Sequence, residues 1–407
     1  MAEAKFEKPL SFYTVDNFIN ESRKLMGQVV HDIPATFESA KYDFISAYSR
    51  ALGDDNPLYN DLEYAAATKY DTLIAPPTFL ITFEYPICRG ALLDGPYPLV
   101  GMEAEFVWEW NDVIKMGDRF APENILKDVY EKPSEKSRIV HLLSECKYKN
   151  KMSKELVATC QGTYAGIARA ESITEIPEAI TEGFRKQPIT DRKVYHYSEA
   201  EVNSIVQDIF KMVRRGDKPL YWDDVNVGDK LNQIVKAPLT TGTLVNYINA
   251  TFSADAFPNF ELHFKKWLKS PGAMLGNPTT GWPYDIELST HVDPYLSGAA
   301  GMPYEYGWGL LETGFCSHLL SNWMGDEGFI RNLRVNVSEP YIYGDALWVN
   351  GEVIEKYKEK LGKATYKAVD IKIEALNQLH QKVITGTATV YLPSVTGIVE
   401  LPISQNT

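Results

Sequence analysis

Apolar and polar residues alternate with a period of two in "LLSECKYKN" (Leu142–Asn150) and again in "VDIKIEALN" (Val369–Asn377). That period marks half-buried antiparallel strands. Each lies inside a longer shared pattern, Met116–Tyr164 and Tyr343–Leu392, which runs Gly-Asp, strand, turn, strand, turn, strand. Gly117 and Gly162 are 45 positions apart, Gly344 and Gly386 42. Upstream, Ile33–Asp54 and Val235–Asp255 share a second pattern: a short apolar strand, a helical stretch and a closing Asp. Between these patterns lies one longer apolar helical stretch per copy. In the second copy it is "GLLETGFCSHLLSNWMGD", with Leu310, Leu311, Phe315, Leu319, Leu320 and Trp323 on compatible faces. In the first it is "PPTFLITFEYPICRGALL", which opens on prolines suited to a first helical turn and carries Pro86, expected to kink or end the helix.

The pattern therefore predicts a duplication: two α+β units, each a buried central helix wrapped by a curled antiparallel sheet, together a pseudo-dimer. The expected boundaries are 10–168 for the first unit, 169–219 for a connector and 220–404 for the second. The connector carries an amphipathic helix over Ser198–Gly216 with a stripe of Val202, Ile205, Ile209 and Val213.

Composition narrows the function classes. A chain of 407 residues exceeds one ordinary core. A formal charge of −13 leaves no basic excess to neutralise phosphates, which excludes a general nucleic-acid binder. Cys88, Cys146, Cys160 and Cys316 form no CxxC pair, as expected of reduced thiols in a cytoplasmic protein. No apolar run is long enough for a membrane span, so no membrane partner is expected. No two histidines have ligand spacing, so neither a metal nor another cofactor is expected.

The segment "YSRALGDDNPLYNDLEYAAATKYDTLIAPPTFL" resembles the N-terminal half of MaoC-like dehydratases, and "YWDDVNVGD" the start of their second half. "HVDPYLSGAAGMPYEYGWG" with "LLSNWMGDEGFIRNLRVNV" resembles their second hydratase region. The resemblance covers most of the chain. It implies a double hot-dog fold and (R)-specific hydration of 2-enoyl thioesters, or dehydration of 3-hydroxyacyl thioesters. The family's loop reads Asp-x-Asn-Pro-x-His-x-Asp, with a glycine sixteen positions after the second Asp, at the mouth of the central helix. Such chemistry needs a base for water, a proton donor for the α-carbon and an N–H for the thioester oxygen.

In the first copy, Asp54 and Asn56 match, but Tyr59 stands at the His position and Pro77 at the glycine position. A tyrosine is a poor base and proline has no N–H to offer. In the second copy His291 and Asp293 match, and the count lands on Gly309, with Gly307 near enough to serve. The resemblance assigns the acid to Asp255, thirty-six positions before His291 across an inserted, aromatic-rich segment. Asp285 and Glu287 are rival acids, His263 a rival to His291, and Asn259 a stand-in for the missing Asn. The insertion reads either as a substrate lid or as a surface elaboration or dimer contact. Trp282, Tyr306 and Trp308 are expected against the substrate. Aromatics there and in "EFVWEWND" (Glu105–Asp112) hint at a bulky or aromatic acyl group.

The expected function is hydration of an enoyl-CoA by a cytoplasmic enzyme whose partners are a CoA thioester and a second copy in a homodimer. The rivals are a non-catalytic acyl-CoA-binding partner subunit and a hot-dog thioesterase.

Overall fold

A computed structural model describes residues 6–31, 37–132, 137–252, 261–270, 272, 274–277 and 279–403. Asp255, Phe257, Asn259 and the expected first strand at residues 33–36 lie outside them. The strands are β1 (Leu99–Trp110), β2 (Phe120–Glu131), β3 (Ile139–Asn150), β4 (Leu156–Ala168), β5 (Ile234–Lys236), β6 (Met274–Asn277), β7 (Trp282–Ile286), β8 (Phe329–Val337), β9 (Leu347–Leu361), β10 (Ala364–Asn377) and β11 (Lys382–Tyr391).

Nine of them form one sheet in the order β2-β3-β4-β1-β8-β11-β10-β9-β5. An isolated bridge from Val29 to Ile125 places the chain before β1 against β2, where β5 lies against β9 in the other half. Read from the outer edge inwards, both halves then have one strand order. They join where β1 pairs antiparallel with β8, from Glu105↔Asn336 to Glu109↔Asn332. This is a double hot-dog fold of the α+β class. The helices Tyr42–Ala51 and Thr241–Thr251 also meet, with Tyr48 and Tyr247 ring centroids 6.3 Å apart. The period-2 readings hold over Leu142–Asn150 of β3 and Val369–Asn377 of β10, where buried and less buried residues alternate.

The two central segments differ. Gly309–Met324 is a helix whose sixteen residues are all buried. The first copy's counterpart forms no α-helix: a 3-10 turn, Pro77–Thr82, runs on irregularly through Pro86 to a second 3-10 turn at Gly90–Asp94. The prolines at its start suit a first turn, but Pro86 removes an N–H donor and its ring crowds the carbonyl one turn back, which an α-helix cannot accommodate. Its carbonyls are capped by side chains from the sheet instead. Trp110 Nε1 donates to Pro77 O at 3.1 Å, Tyr148 Oη to Glu84 O at 2.7 Å, Ser144 Oγ to Pro86 O at 3.0 Å and Asn124 Nδ2 to Ile87 O at 2.9 Å. The sheet makes room at Gly162, where a Cβ would stand 1.9 Å from Pro86 O.

The connector helix spans Glu199–Phe210, started by a Ser198–Glu201 capping box. Ile205 is buried against Val235 and Ala346, whereas Val202 and Val213 are exposed, so the apolar stripe is narrower than expected. Arg192, ion-paired to buried Asp345, ties the connector to the second half.

Candidate active site

His291 is placed by a loop that ends at Asp293, whose carboxylate accepts from Tyr295 and Leu296 N–H and so caps the short helix Pro294–Ala299. Asp61 does the same for Leu62–Ala66 in the first copy, accepting from Glu63 and Tyr64 N–H. The second Asp of each loop is thus a structural cap, and the shared cap sets Tyr59 and His291 in equivalent places.

The His291 ring stacks on Trp308, with centroids 3.7 Å apart. Its Nδ1 lies 2.8 Å from Tyr306 O. A carbonyl only accepts, so Nδ1 carries the proton and Nε2 keeps its lone pair. Burial pushes the imidazole down to about 3, so it is neutral. His291 shares a cavity of about 80 Å³ with Tyr85, Glu103, Gly307, Gly309 and Glu312. Tyr306 and Trp308 also line it. Trp282 does not: it is 54% exposed on the β6–β7 hairpin, with its ring 6.1 Å from that of Phe264. Trp108 and Trp110 are buried in the core, stacked on each other. The aromatic signal in these residues therefore belongs to packing and surface, and says nothing of the acyl group. Phe252, the last described residue before the insertion, has its ring 6.1 Å from that of Trp308.

Two acids that sequence reasoning missed face the same space. Glu312 lies in the first turn of the central helix, 1% exposed, and its Oε2 has no hydrogen-bond partner. Burial, then the charge of Glu103, pushes its carboxyl well above the ordinary range, so it is protonated. Its place four residues into an apolar helix was the available signal. Glu103 comes from β1 of the other half. In β1 Phe106, Trp108 and Trp110 face inward, which by alternation would turn Glu103 outward with Glu105 and Glu109. A bulge intervenes: Glu103 opposes Tyr164 and Glu105 opposes Thr163, with Ala104 as the extra residue. Glu103 therefore points inward, while Glu105 pairs with Arg334. No sequence signal marks that bulge.

Glu103 reaches the mouth of the central helix, which has no side-chain cap of its own at Trp308. Leu310 N–H donates to Glu103 Oε2 at 3.2 Å, and Gly309 N–H bonds to the same carboxyl. Tyr85 Oη donates to Oε1 at 2.6 Å. Gly309 permits this approach: a Cβ there would meet Glu103 Oε2, Val337 and Phe106 at about 3 Å.

In the first copy, Asn56 caps Leu58 N–H, and Asp54 Oδ1 accepts from Asn56 N–H. Burial, and then the charge of Asp54, holds the Tyr59 hydroxyl far above its ordinary value, so it offers no base. Asp54 faces the other half, with Oδ1 3.6 Å from His318 Nε2; Lys236 Nζ lies 2.7 Å from His318 Nδ1. A second cavity, of about 140 Å³, shares Gly101, Tyr164 and Tyr306 with the first and continues past Tyr97, Ile180 and Phe184. Among the described residues no helix is long and apolar enough to cross a membrane, and no group of three His, Cys, Asp or Glu could hold a metal.

Comparison with known proteins agrees with this architecture. Residues 25–172 match the family model described as FAS1-like, dehydratase domain region. A UPF0336 protein of Parafrankia sp. (strain EAN1pec) is 50% identical over 40 residues, 10% of this chain and 26% of that protein. One from Streptomyces avermitilis is 28% identical over 91 residues, 21% of this chain and 59% of that protein. The chain thus spans between a quarter and three fifths of the length of these curated relatives. Among solved structures, a MaoC-like dehydratase superposes with a TM-score of 0.59 at 20% identity, over 91% of this chain and 99% of that one. A protein described as a MaoC domain dehydratase from Chloroflexus aurantiacus J-10-fl gives 0.52 at 14% identity, over 91% and 95%.

Proposed function

From a chain that resembles the MaoC-like dehydratases and carries their hot-dog unit twice, we propose that this protein hydrates 2-enoyl-CoA thioesters, or runs the reverse dehydration, at a single site in its second half. The observation that carries this reading is the neutral His291, with Nε2 available, in one cavity with the Gly309 N–H.

In the hydration direction, His291 Nε2 takes a proton from water as it attacks the β-carbon. Gly309 N–H stabilises the charge that gathers on the thioester oxygen. Asp255 is the acid the family resemblance assigns, and Glu312 is the protonated acid the cavity holds. The acyl group runs past Tyr306 towards the second cavity, which shares Gly101, Tyr164 and Tyr306 with the first. The first copy's loop is a structural remnant: its base is a protonated tyrosine and its acid is committed to the interface with His318.

The test is loss of the conjugated-enoyl absorbance when a short enoyl-CoA meets the purified protein. His291→Ala should slow it by about 10²–10⁴-fold. Turnover unchanged by H291A would remove the residue assignment, and absence of turnover in wild type would remove the activity. Asp255→Asn and Glu312→Gln separate the two acids: the one that donates to the α-carbon lowers kcat when replaced.

A further inference from the structure

A carboxyl group occupies the place where the proposed reaction needs a positive field. Glu103 Oε2 sits on the N–H groups that open the central helix. While ionised, it would repel a thioester oxygen gaining negative charge. As a neutral acid it would do the opposite and donate a hydrogen bond to that oxygen.

Resting on the hydratase reading, we propose that Glu103 is a further catalytic residue: in its protonated form it is the second oxyanion donor, contributed by the first half to the site of the second. The geometry supports this at three points. The bulge at Ala104 turns Glu103 inward against the alternation of its strand. Tyr85 Oη donates to Oε1 and anchors that oxygen, while Oε2 accepts from the helix N–H groups and is the oxygen a substrate carbonyl would displace from them. The unpartnered Oε2 of buried Glu312 lies in the same cavity and marks it as built for a polar ligand that is not part of the chain. When substrate enters, its oxygen takes the place of Oε2 on Gly309 N–H, and the carboxyl withdraws by about one hydrogen-bond length and donates.

The charge environment permits this switch near neutral pH. Burial raises the Glu103 carboxyl to about 7, opposed by Tyr85, the two helix N–H groups and the charge of Arg89. The other ionisable groups in the cavity are Tyr164, the neutral His291, Tyr306, the protonated Glu312 and Tyr341; Tyr247 on the helix Thr241–Thr251 stays protonated beside them, raised by burial. A carboxyl raised to about 7 is protonated below that pH and ionised above it. Hydration should therefore be fastest below 7 and fall as pH rises through it. His291, pushed down to about 3, adds no rising limb in that range.

The experiment is a pH–rate profile for wild type, Glu103→Gln and Glu103→Leu, with urea midpoints to confirm folding. Leu removes the donor and should cost on the order of 10²-fold below about pH 7, where wild type is protonated, with the gap closing as pH rises and no alkaline limb of its own. Gln keeps a neutral N–H donor, so it should recover part of that loss and show no alkaline limb. An alkaline limb retained in E103Q, or a wild-type rate in E103L, overturns the proposal. Binding of butanoyl-CoA relative to free CoA, by calorimetry at about pH 6 and about pH 8.5, tests it separately from turnover. Butanoyl-CoA should bind several-fold more tightly at the lower pH in wild type and with no pH dependence in E103Q. If wild type shows that dependence without hydrating any enoyl-CoA, the hydratase reading falls and the Glu103 assignment stands. If neither turnover nor binding responds to Glu103, the assignment falls. Tighter binding in E103L would make Glu103 an obstruction and overturn it as well.

Discussion

At the residue scale, the site divides into groups fixed by type and spacing and groups placed by geometry alone. His291, Asp293 and Gly309 were legible because the spacing between them is a property of the chain. Spacing could not separate their roles: Asp293 spends its carboxylate on capping a helix, and Gly309 is already bonded to Glu103. Glu103 and Glu312 carry no motif, and nothing in the sequence says that residues more than two hundred positions apart share a cavity. The glycine itself can be tested. Gly309→Ala would press its methyl against Val337 and Phe106 as well as Glu103, so it should lower turnover and disturb the Glu103 pH limb together, measured in the same profile.

At the scale of elements, alternation predicted strands well and one helix badly. The pattern "LLSECKYKN" works because burial on one face of a sheet leaves its period in the sequence. The first central segment has the apolar content of a helix, but Pro86 withdraws a donor inside it, and the substitute hydrogen bonds come from Asn124, Ser144, Tyr148 and Trp110 on distant strands. No local window contains that arrangement. Gly162→Ala, which drives a methyl into Pro86 O, should destabilise the protein by about 1–3 kcal/mol in urea unfolding. Deleting Ala104 removes the extra residue and leaves Glu103 opposite Tyr164, still facing inward next to outward-facing Glu105. The deletion is therefore expected to keep the alkaline limb that Glu103→Leu abolishes, measured in the same pH–rate profile.

At the scale of the whole molecule, the duplication and the sheet were legible because repeated patterns survive sequence divergence, whereas the way the halves share side chains was not. Asp54, Lys236 and His318 form one buried cluster from both halves. His318 is held well below its ordinary value by burial and then by Lys236, and His291 by burial. Unfolded, each titrates near about 6.5, so below that pH the unfolded chain takes up protons the native state refuses, and stability falls from about pH 6.5 towards 3. Asp54 and Glu103, whose carboxyls burial raises, act with the opposite sign, so the total slope is a difference. Comparing urea midpoints of wild type and His291→Leu at steps between about pH 7 and 4 isolates one contribution; the difference should move in the variant's favour as pH falls. The β1–β8 seam has a further consequence. Glu103 and Gly309 belong to different halves, and the register of that seam helps fix the distance between them. Register comes in whole residues: a slip of one reverses the face, and a slip of two displaces the strand by about 7 Å. The alignment of the two halves is therefore quantised. Damage to the seam should leave a population of intact molecules beside wholly inactive ones, with no gradual loosening in between.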